Sequence, residues 1–230
     1  MNIRILPEIY YPESDGKPMA ETPLHMRVMW DTIQTLIAWF ANPRVYVWGN
    51  MFLYYVLGDP RKCVSPDVMV IKDVDRDRPR DVFKVWEEGS SPCVSIEVTS
   101  RKTRAEDQKK KFQLYQNILK VHEYYLFDPY AEYLKPPLKG YRLHEGLYQP
   151  IEPVAGRLPS EELGLHLERN GKELRLWNPA TQQWLLTPEE AMDQEKQAHK
   201  REKLARLQAE TDNERLRREL EALRKKTGAE

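Results

Sequence analysis

The chain is predicted to be an α/β protein: a mixed β-sheet flanked by helices, followed by a β-hairpin and a long charged C-terminal helix. Three observations predict it. Cys93–Thr99 alternates apolar and polar residues, as side chains do along a pleated strand. An amphipathic helical segment and a second strand, Glu123–Phe127, follow it, which is the order of a crossover unit. Beyond about Leu186 the aromatic and aliphatic residues give way to Glu, Lys, Arg, Gln and Ala. At 230 residues, 40% of them hydrophobic and 31% charged, the chain holds one sizeable core and an appendage. The expected division is a domain over 1–186, with a core of about 10–155 and a hairpin extension of about 156–186. A helix over 187–230 follows.

The elements are read in order. Residues 1–20 are Pro-rich and suggest an extended arm tethered by Ile3, Ile5, Leu6, Tyr10 and Tyr11. From Pro23 to Phe40, Leu24, Val28, Met29, Ile33, Leu36, Ile37 and Phe40 recur at three and four, the period of a helix with one apolar face. Pro43 closes it. Val45–Trp48 and Met51–Val56 are strand-like and are expected to pair as a hairpin around Gly49-Asn50. Asp67 stands at the start of the short β-branched run Val68–Ile71, and Val82–Trp86 reads as a weak strand or helical turn. A helix is predicted over Ala105–Leu119 and a meander over Gly140–Glu152. Leu163–Glu168 and Glu173–Trp177 flank an Asn170-Gly171 hairpin turn. Thr187-Pro188-Glu189-Glu190 supplies a capping hydroxyl, a proline at the first helical position and acids in the first turn.

Lys and Arg number 36, Asp and Glu 36, so no global basic field announces a polyanion partner. Nucleic-acid contact would use a local patch, and Arg101, Lys102, Arg104, Lys109 and Lys110 provide one. Two cysteines, Cys63 and Cys93, are too few for a disulfide framework or a cysteine zinc site. No run approaches the ~18 apolar residues of a membrane span. The expectation is a reduced, soluble, cytoplasmic protein with no membrane partner.

Asp67 and Glu97 are the candidate metal ligands. An acid opening one strand and an acid within a neighbouring strand can converge on one hard cation, which takes oxygen ligands and completes its shell with water and substrate phosphate. Glu97 interrupts the apolar strand VSIEV. If that strand is buried, the carboxylate needs a partner; if one sheet face is wet, Ser95, Glu97 and Thr99 meet solvent. Asp67 after Pro66 is, taken alone, common turn chemistry. Asp107, Lys111 and Tyr115 fall at i, i+4 and i+8 on one helix face, where Lys111 either reaches towards Glu97 or forms a surface pair with Asp107. His25 is a phosphate or water contact, or a packing and capping residue.

The segments ESDGKPMAETPLH (Glu13–His25), SPDVMVIKDV (Ser65–Val74), IEVTSRKTRAEDQKKKFQLYQ (Ile96–Gln116), HEYYLFDPYAEYLKPPLKGY (His122–Tyr141) and the closing RLWNPATQQWLLTPEEA resemble the Uma-two family of restriction-endonuclease-like bacterial proteins, grouped with the PD-(D/E)xK nucleases. The likeness runs in order over roughly residues 10–192. It implies a restriction-endonuclease-like core with Mg2+ or Mn2+ held by Asp67 and Glu97. The superfamily's lysine stands two places after the second acid, where this chain has Thr99. The resemblance implies that the lysine has migrated to the next helix as Lys111, within a pattern that Asp107 and Tyr115 complete, and that His25 is the family histidine of the first long helix.

Late in the C-terminal helix Ala209, Asn213, Leu216, Leu220 and Leu223 alternate by four and three, a coiled-coil seam with Asn213 at an a position. Leu204 and Leu207 are out of phase with it, so only two to three heptads hold. A homodimer, a partner protein or a solvated single helix all satisfy the pattern. The functional expectation is a metal-dependent endonuclease hydrolysing DNA phosphodiester bonds, with Asp67, Glu97 and Lys111 catalytic and His25, Thr99, Asp107 and Tyr115 in support. The alternative is a catalytically weak nuclease-fold module that binds nucleic acid and recruits partners through its C-terminal helix. A purely structural coiled coil leaves an acid inside an apolar strand unexplained.

Overall fold

The structure is a computed structural model describing residues 9–14, 16 and 22–227. Most of the expected N-terminal arm, including Ile3, Ile5 and Leu6, lies outside the described residues. Of the part described, Tyr11 accepts a hydrogen bond from the Gly58 amide and the Pro12 carbonyl accepts one from the Tyr54 hydroxyl. Helix α1 (Pro23–Trp39) forms where the three-and-four spacing predicts it. The Thr22 hydroxyl caps it by accepting from the His25 amide, and Val28, Met29, Ile33 and Leu36 are its buried face.

The chain then forms strands β1 (Val45–Trp48), β2 (Leu53–Tyr54), β3 (Cys63–Val64), β4 (Val68–Lys72) and β5 (Phe83–Lys84), and one helical turn, α2 (Val85–Glu88). Strand β6 (Val94–Val98) leads into helix α3 over residues 104–119, and β7 (Glu123–Phe127), β8 (Leu138–His144) and β9 (Leu147–Pro150) follow. The main sheet has the order β1-β4-β6-β7-β8-β9. Its neighbours are antiparallel except β6 and β7, which run parallel because α3 carries the chain back across the sheet.

The expected hairpin between Val45–Trp48 and Met51–Val56 does not form. Strand β1 pairs with β4, while β2 pairs with β3 and β5 in a separate three-stranded sheet. The cause is local. A Cβ on Gly49 would lie 1.8 Å from the Asp67 carbonyl oxygen, and the Asn50 amide donates to the Pro66 carbonyl at 2.8 Å. The chain at 49–50 is therefore pinned against the Pro66-Asp67 turn and cannot fold back on itself.

The alternation read along the strands sorts residues between two cores. Val68, Val70, Val94, Ile96, Val98, Tyr125 and Phe127 pack with α1 and with a second, four-stranded antiparallel sheet. That sheet comprises β10 (Leu158–Ser160), β11 (Leu165–Asn170), β12 (Glu173–Asn178) and β13 (Gln183–Trp184). The predicted hairpin is its centre, with Asn170 paired to Glu173 around Gly171-Lys172 and Gly171 at φ +61. On the other face Met69, Ile71, Tyr124 and Leu126 pack with α3 through Tyr115 and Leu119. Asp67 precedes β4 in the same alternation, so Asp67, Ser95, Glu97 and Thr99 project to the α3 side. That face is not wet: Ser95 and Glu97 are 0% exposed and Thr99 2%.

Residues 1–185 form one compact unit and 186–230 another. The second is built on helix α4 (Pro188–Thr227). Thr187 and Glu190 form a reciprocal capping box at its start, each amide donating to the other's side chain. Leu204, Leu207, Leu216, Leu220 and Leu223 are all exposed. Among the described residues, no helix is long and apolar enough to cross a membrane.

Candidate active site

The site forms where the end of β6, the turn before β4 and the inward face of α3 meet. The β4–β6 register aligns Val68 with Ile96, which brings Asp67 beside Glu97. The Asp67 amide donates to Glu97 Oε2 at 3.3 Å, and the Val98 amide donates to Asp67 Oδ2 at 2.7 Å. His25 Nε2, from α1, stands 3.4 Å from the same Oδ2. Asp67 Oδ1 accepts no hydrogen bond from the described residues.

Helix α3 supplies the rest. Two π-type turns, Glu106–Lys111 and Tyr115–Leu119, enclose one α-helical turn at Phe112–Leu114. Such wide turns are rare and recur at functional sites. Asp107, Lys111 and Tyr115 all face inward. Lys111 Nζ donates to Glu97 Oε2 at 2.6 Å and to the Ser65 carbonyl at 3.0 Å, and lies 3.8 Å from Asp107 Oδ1. The Tyr115 hydroxyl donates to Glu97 Oε1 at 2.8 Å, with the Ser95 hydroxyl 3.4 Å from that atom. Neither oxygen of buried Asp107 makes a hydrogen bond of normal geometry, and the Thr99 hydroxyl has no partner among the described residues.

The electrostatics follow from one lysine shared among three acids. Burial, with Asp67 and Asp107 close by, outweighs Lys111 and pushes Glu97 up to about 8. Burial likewise raises Asp107 to about 6 against the opposing pull of Lys111. Burial would depress Lys111, but Glu97, Asp67 and Asp107 together outweigh it and hold its pKa above the usual lysine value. Asp67 alone falls below the carboxylate range: burial raises it, while His25, Lys111 and the Val98 amide lower it further. Too many acids for one base raises both partners at once.

The structure thus brings Asp67, Glu97, Lys111, His25, Asp107 and Tyr115 together. Thr99, in the superfamily's lysine place, points to the same side but touches none of them through its hydroxyl. Arg101, Lys102, Arg104, Lys109 and Lys110 are exposed. Arg101 and Lys102 line a cavity of about 290 Å³ that also includes His25 and Thr99. Lys110 lines an open groove of about 770 Å³ that includes Ser65 and Lys111. Sequence reasoning missed the Ser65 carbonyl, the Val98 amide and Gly49. Backbone groups carry no sequence signal, whereas a glycine between two aromatic strand-like runs is one, and what it marks is the close approach to Asp67.

A mixed sheet that sets acids on adjacent strands beneath a crossover helix is a nuclease-like fold. The chain belongs to the Uma2 family, described as putative restriction endonuclease, whose sequence model matches residues 6–175. No curated protein matches the chain. Among solved structures, one described as a putative nuclease belonging to DUF820, from Anabaena variabilis ATCC 29413, is 16% identical with a TM-score of 0.47, over 71% of this chain and 90% of that one.

Proposed function

We propose that the protein is a divalent-metal-dependent endonuclease that hydrolyses DNA phosphodiester bonds. The observation that carries this reading is the buried surplus of carboxyl groups: Asp67, Glu97 and Asp107 around the single ammonium of Lys111. The donor set fits a hard cation. Asp67 Oδ1 and both Asp107 oxygens accept no hydrogen bond from the described residues, and all three are carboxyl oxygens. Among the described residues no three His, Cys, Asp or Glu side chains close around one point, so water and substrate phosphate would complete the shell. Asp67 and Glu97 would hold Mg2+ or Mn2+, which when bound polarises the phosphate and acidifies a water.

The chain's own residues do the remainder. His25 and the Val98 amide orient Asp67 through Oδ2 and leave Oδ1 for binding. Tyr115 and Lys111 fix Glu97 from two sides. Lys111 stays cationic and stabilises charge developing on the phosphoryl oxygens. Asp107 takes the proton of the attacking water as the new oxygen–phosphorus bond forms, and the ester oxygen opposite leaves and is protonated by solvent. The test compares wild type with Glu97→Ala on supercoiled, linear and single-stranded DNA in magnesium or manganese. Cleavage by wild type alone supports the site, and indistinguishable cleavage rejects it.

One observation favours a second reading, a module that binds DNA without cutting it: Thr99 occupies the superfamily's lysine place. Filter binding with no turnover in any divalent metal selects that reading.

The seam of α4 supports pairing with a second copy of this chain. With Asn213 and Leu220 at a, Asp212 and Glu219 fall at g and Arg217 and Arg224 at e. In a parallel pair each g acid meets the e arginine five residues on in the partner helix, whereas an antiparallel pair sets like charges together. A dimer that becomes monomeric in a Leu216→Glu/Leu220→Glu variant, followed by sedimentation, supports this. Unchanged stoichiometry rejects it.

A further inference from the structure

The cavity of about 290 Å³ beside Asp67 has no role in the hydrolysis described above. It lies against the site, because two of its lining residues, His25 and Val98, are the groups that hold Asp67 Oδ2. Its volume is at the small end of the range for small-molecule sites, about 300–1,000 Å³. A base-paired duplex cannot enter such a space.

The lining grades in character from inside to outside. Thr99 is 2% exposed, and its hydroxyl is a buried polar group with no partner among the described residues. Buried polar atoms are almost always satisfied, so this one points to a ligand able to exchange a hydrogen bond with it. Pro129, Tyr130 and Tyr133 add apolar and aromatic surface, with Tyr130 41% exposed. Lys172 Nζ stands 5.2 Å from the Tyr130 ring centroid, a cation–π contact that braces the ring. The cations of the lining, Arg101 and Lys102, are both exposed. A ligand with flat apolar faces, a neutral hydrogen-bonding edge and an anionic tail matches this gradient. An anion alone does not, since the buried lining offers it a hydroxyl, hydrocarbon and a His25 already set against Asp67, while Arg101 and Lys102 are exposed.

We propose that this cavity accepts one unpaired nucleobase of the DNA strand, stacked on Tyr130 and Tyr133 and edge-on to Thr99, with the adjoining phosphates at Arg101 and Lys102. The proposal rests on the reading of the neighbouring site as one that acts on DNA. It deepens that reading by naming the substrate as a strand that is single, frayed or able to extrude a base. Extrusion costs least where pairing is already broken, so such positions are preferred. Aromatic stacking holds bases of any sequence, and the hydroxyl adds a modest discrimination between base edges.

The experiment uses the full-length protein in EDTA, so that binding is read without cleavage. Oligonucleotides carrying 2-aminopurine are titrated as single strands, as duplexes with one unpaired 2-aminopurine, and as fully paired duplexes. The expected result is tighter binding of the first two forms and a fluorescence change when the analogue stacks in the protein. Tyr130→Ala is expected to weaken single-strand binding by roughly 5- to 150-fold, the reach of one base–aromatic stack, and to remove the fluorescence change. Thr99→Val, which keeps shape and loses the hydroxyl, is expected to weaken binding several-fold and alter base preference with an unchanged melting temperature. If Tyr130→Ala and Thr99→Val bind as wild type while Arg101→Ala/Lys102→Ala does not, DNA meets only the rim and the proposal is overturned. If wild type binds no DNA form, this proposal and the reading of the active site fall together. Binding as expected without cleavage in magnesium leaves the cavity assigned and removes only the hydrolytic reading.

Discussion

Two buried glutamates stand on neighbouring parallel strands and differ in how their charge is met. Glu123, on β7, faces the four-stranded sheet. Its Oε1 accepts from Arg142 Nε at 3.0 Å, Arg142 Nη2 at 2.9 Å and the Glu161 amide at 2.9 Å. Its Oε2 accepts from the Ser160 and Tyr125 hydroxyls. Arg142 also pairs at 2.7 Å with Glu161, an acid that is largely exposed, and both Glu123 oxygens accept from neutral donors as well. Glu97, on β6, faces α3 and shares Lys111 with two other carboxylates. A buried acid that its own fold neutralises is a tie between sheets. One left in a surplus of acids is what the proposed metal-dependent reading turns on.

That contrast can be broken in four places, taken from the largest expected effect. Glu97→Gln should lower DNA cleavage by on the order of a thousandfold, the scale on which a lost charge-stabilising contact acts. Its melting temperature without metal should not fall, because the substitution relieves the excess of acids. A drop would mean that Glu97 is a tie like Glu123. Addition of magnesium should stabilise the wild type, by about 2.7 kcal/mol at a hundredfold excess over Kd. Asp67→Asn should abolish most of that gain in a thermal melt.

Glu123→Gln should cost about 2 kcal/mol in urea unfolding, less than the 3–5 of a fully buried pair because Arg142 reaches solvent. Cleavage per folded molecule should be unchanged. The smallest effect is at Glu88, a tie in the small sheet's corner. Arg80 Nε and Nη2 donate to it at 2.9 and 2.8 Å and hold its pKa below the ordinary 4.5. A folded pKa below the unfolded one stabilises above about 4.5, and that contribution is lost as pH falls through the lower folded value. Glu88→Gln should therefore cost about 1–2 kcal/mol at pH 7, with the gap to wild type closing in acid melts.

Much of this was legible beforehand where periodicity is strong. Helix α1, strand β6, the β6–α3–β7 crossover and the capped start of α4 follow from spacing and from Thr187 with Pro188. The false hairpin after Trp48 marks where local pattern yields to tertiary contact: no propensity of Tyr46 or Tyr54 reveals that residue 49 lies against residue 67. Strands β10 and β13 are too short to carry a period. At the site, Asp67 and Glu97 were readable as acids at strand positions, and the i, i+4 spacing of Asp107 and Lys111 as a shared helix face. That Lys111 turns inward while Lys109 and Lys110 stay exposed was not, since a run of three lysines carries no mark of which one faces the sheet.

Gly49 has one more consequence. With no room for even a methyl group against the Asp67 backbone, alanine there would shift a proposed ligand while leaving every acid, lysine and histidine unaltered. A survey of random variants would record an inactive protein whose chemistry was intact on paper. The proposed reaction would thus be conditioned by a hydrogen atom in the turn after β1, through volume alone.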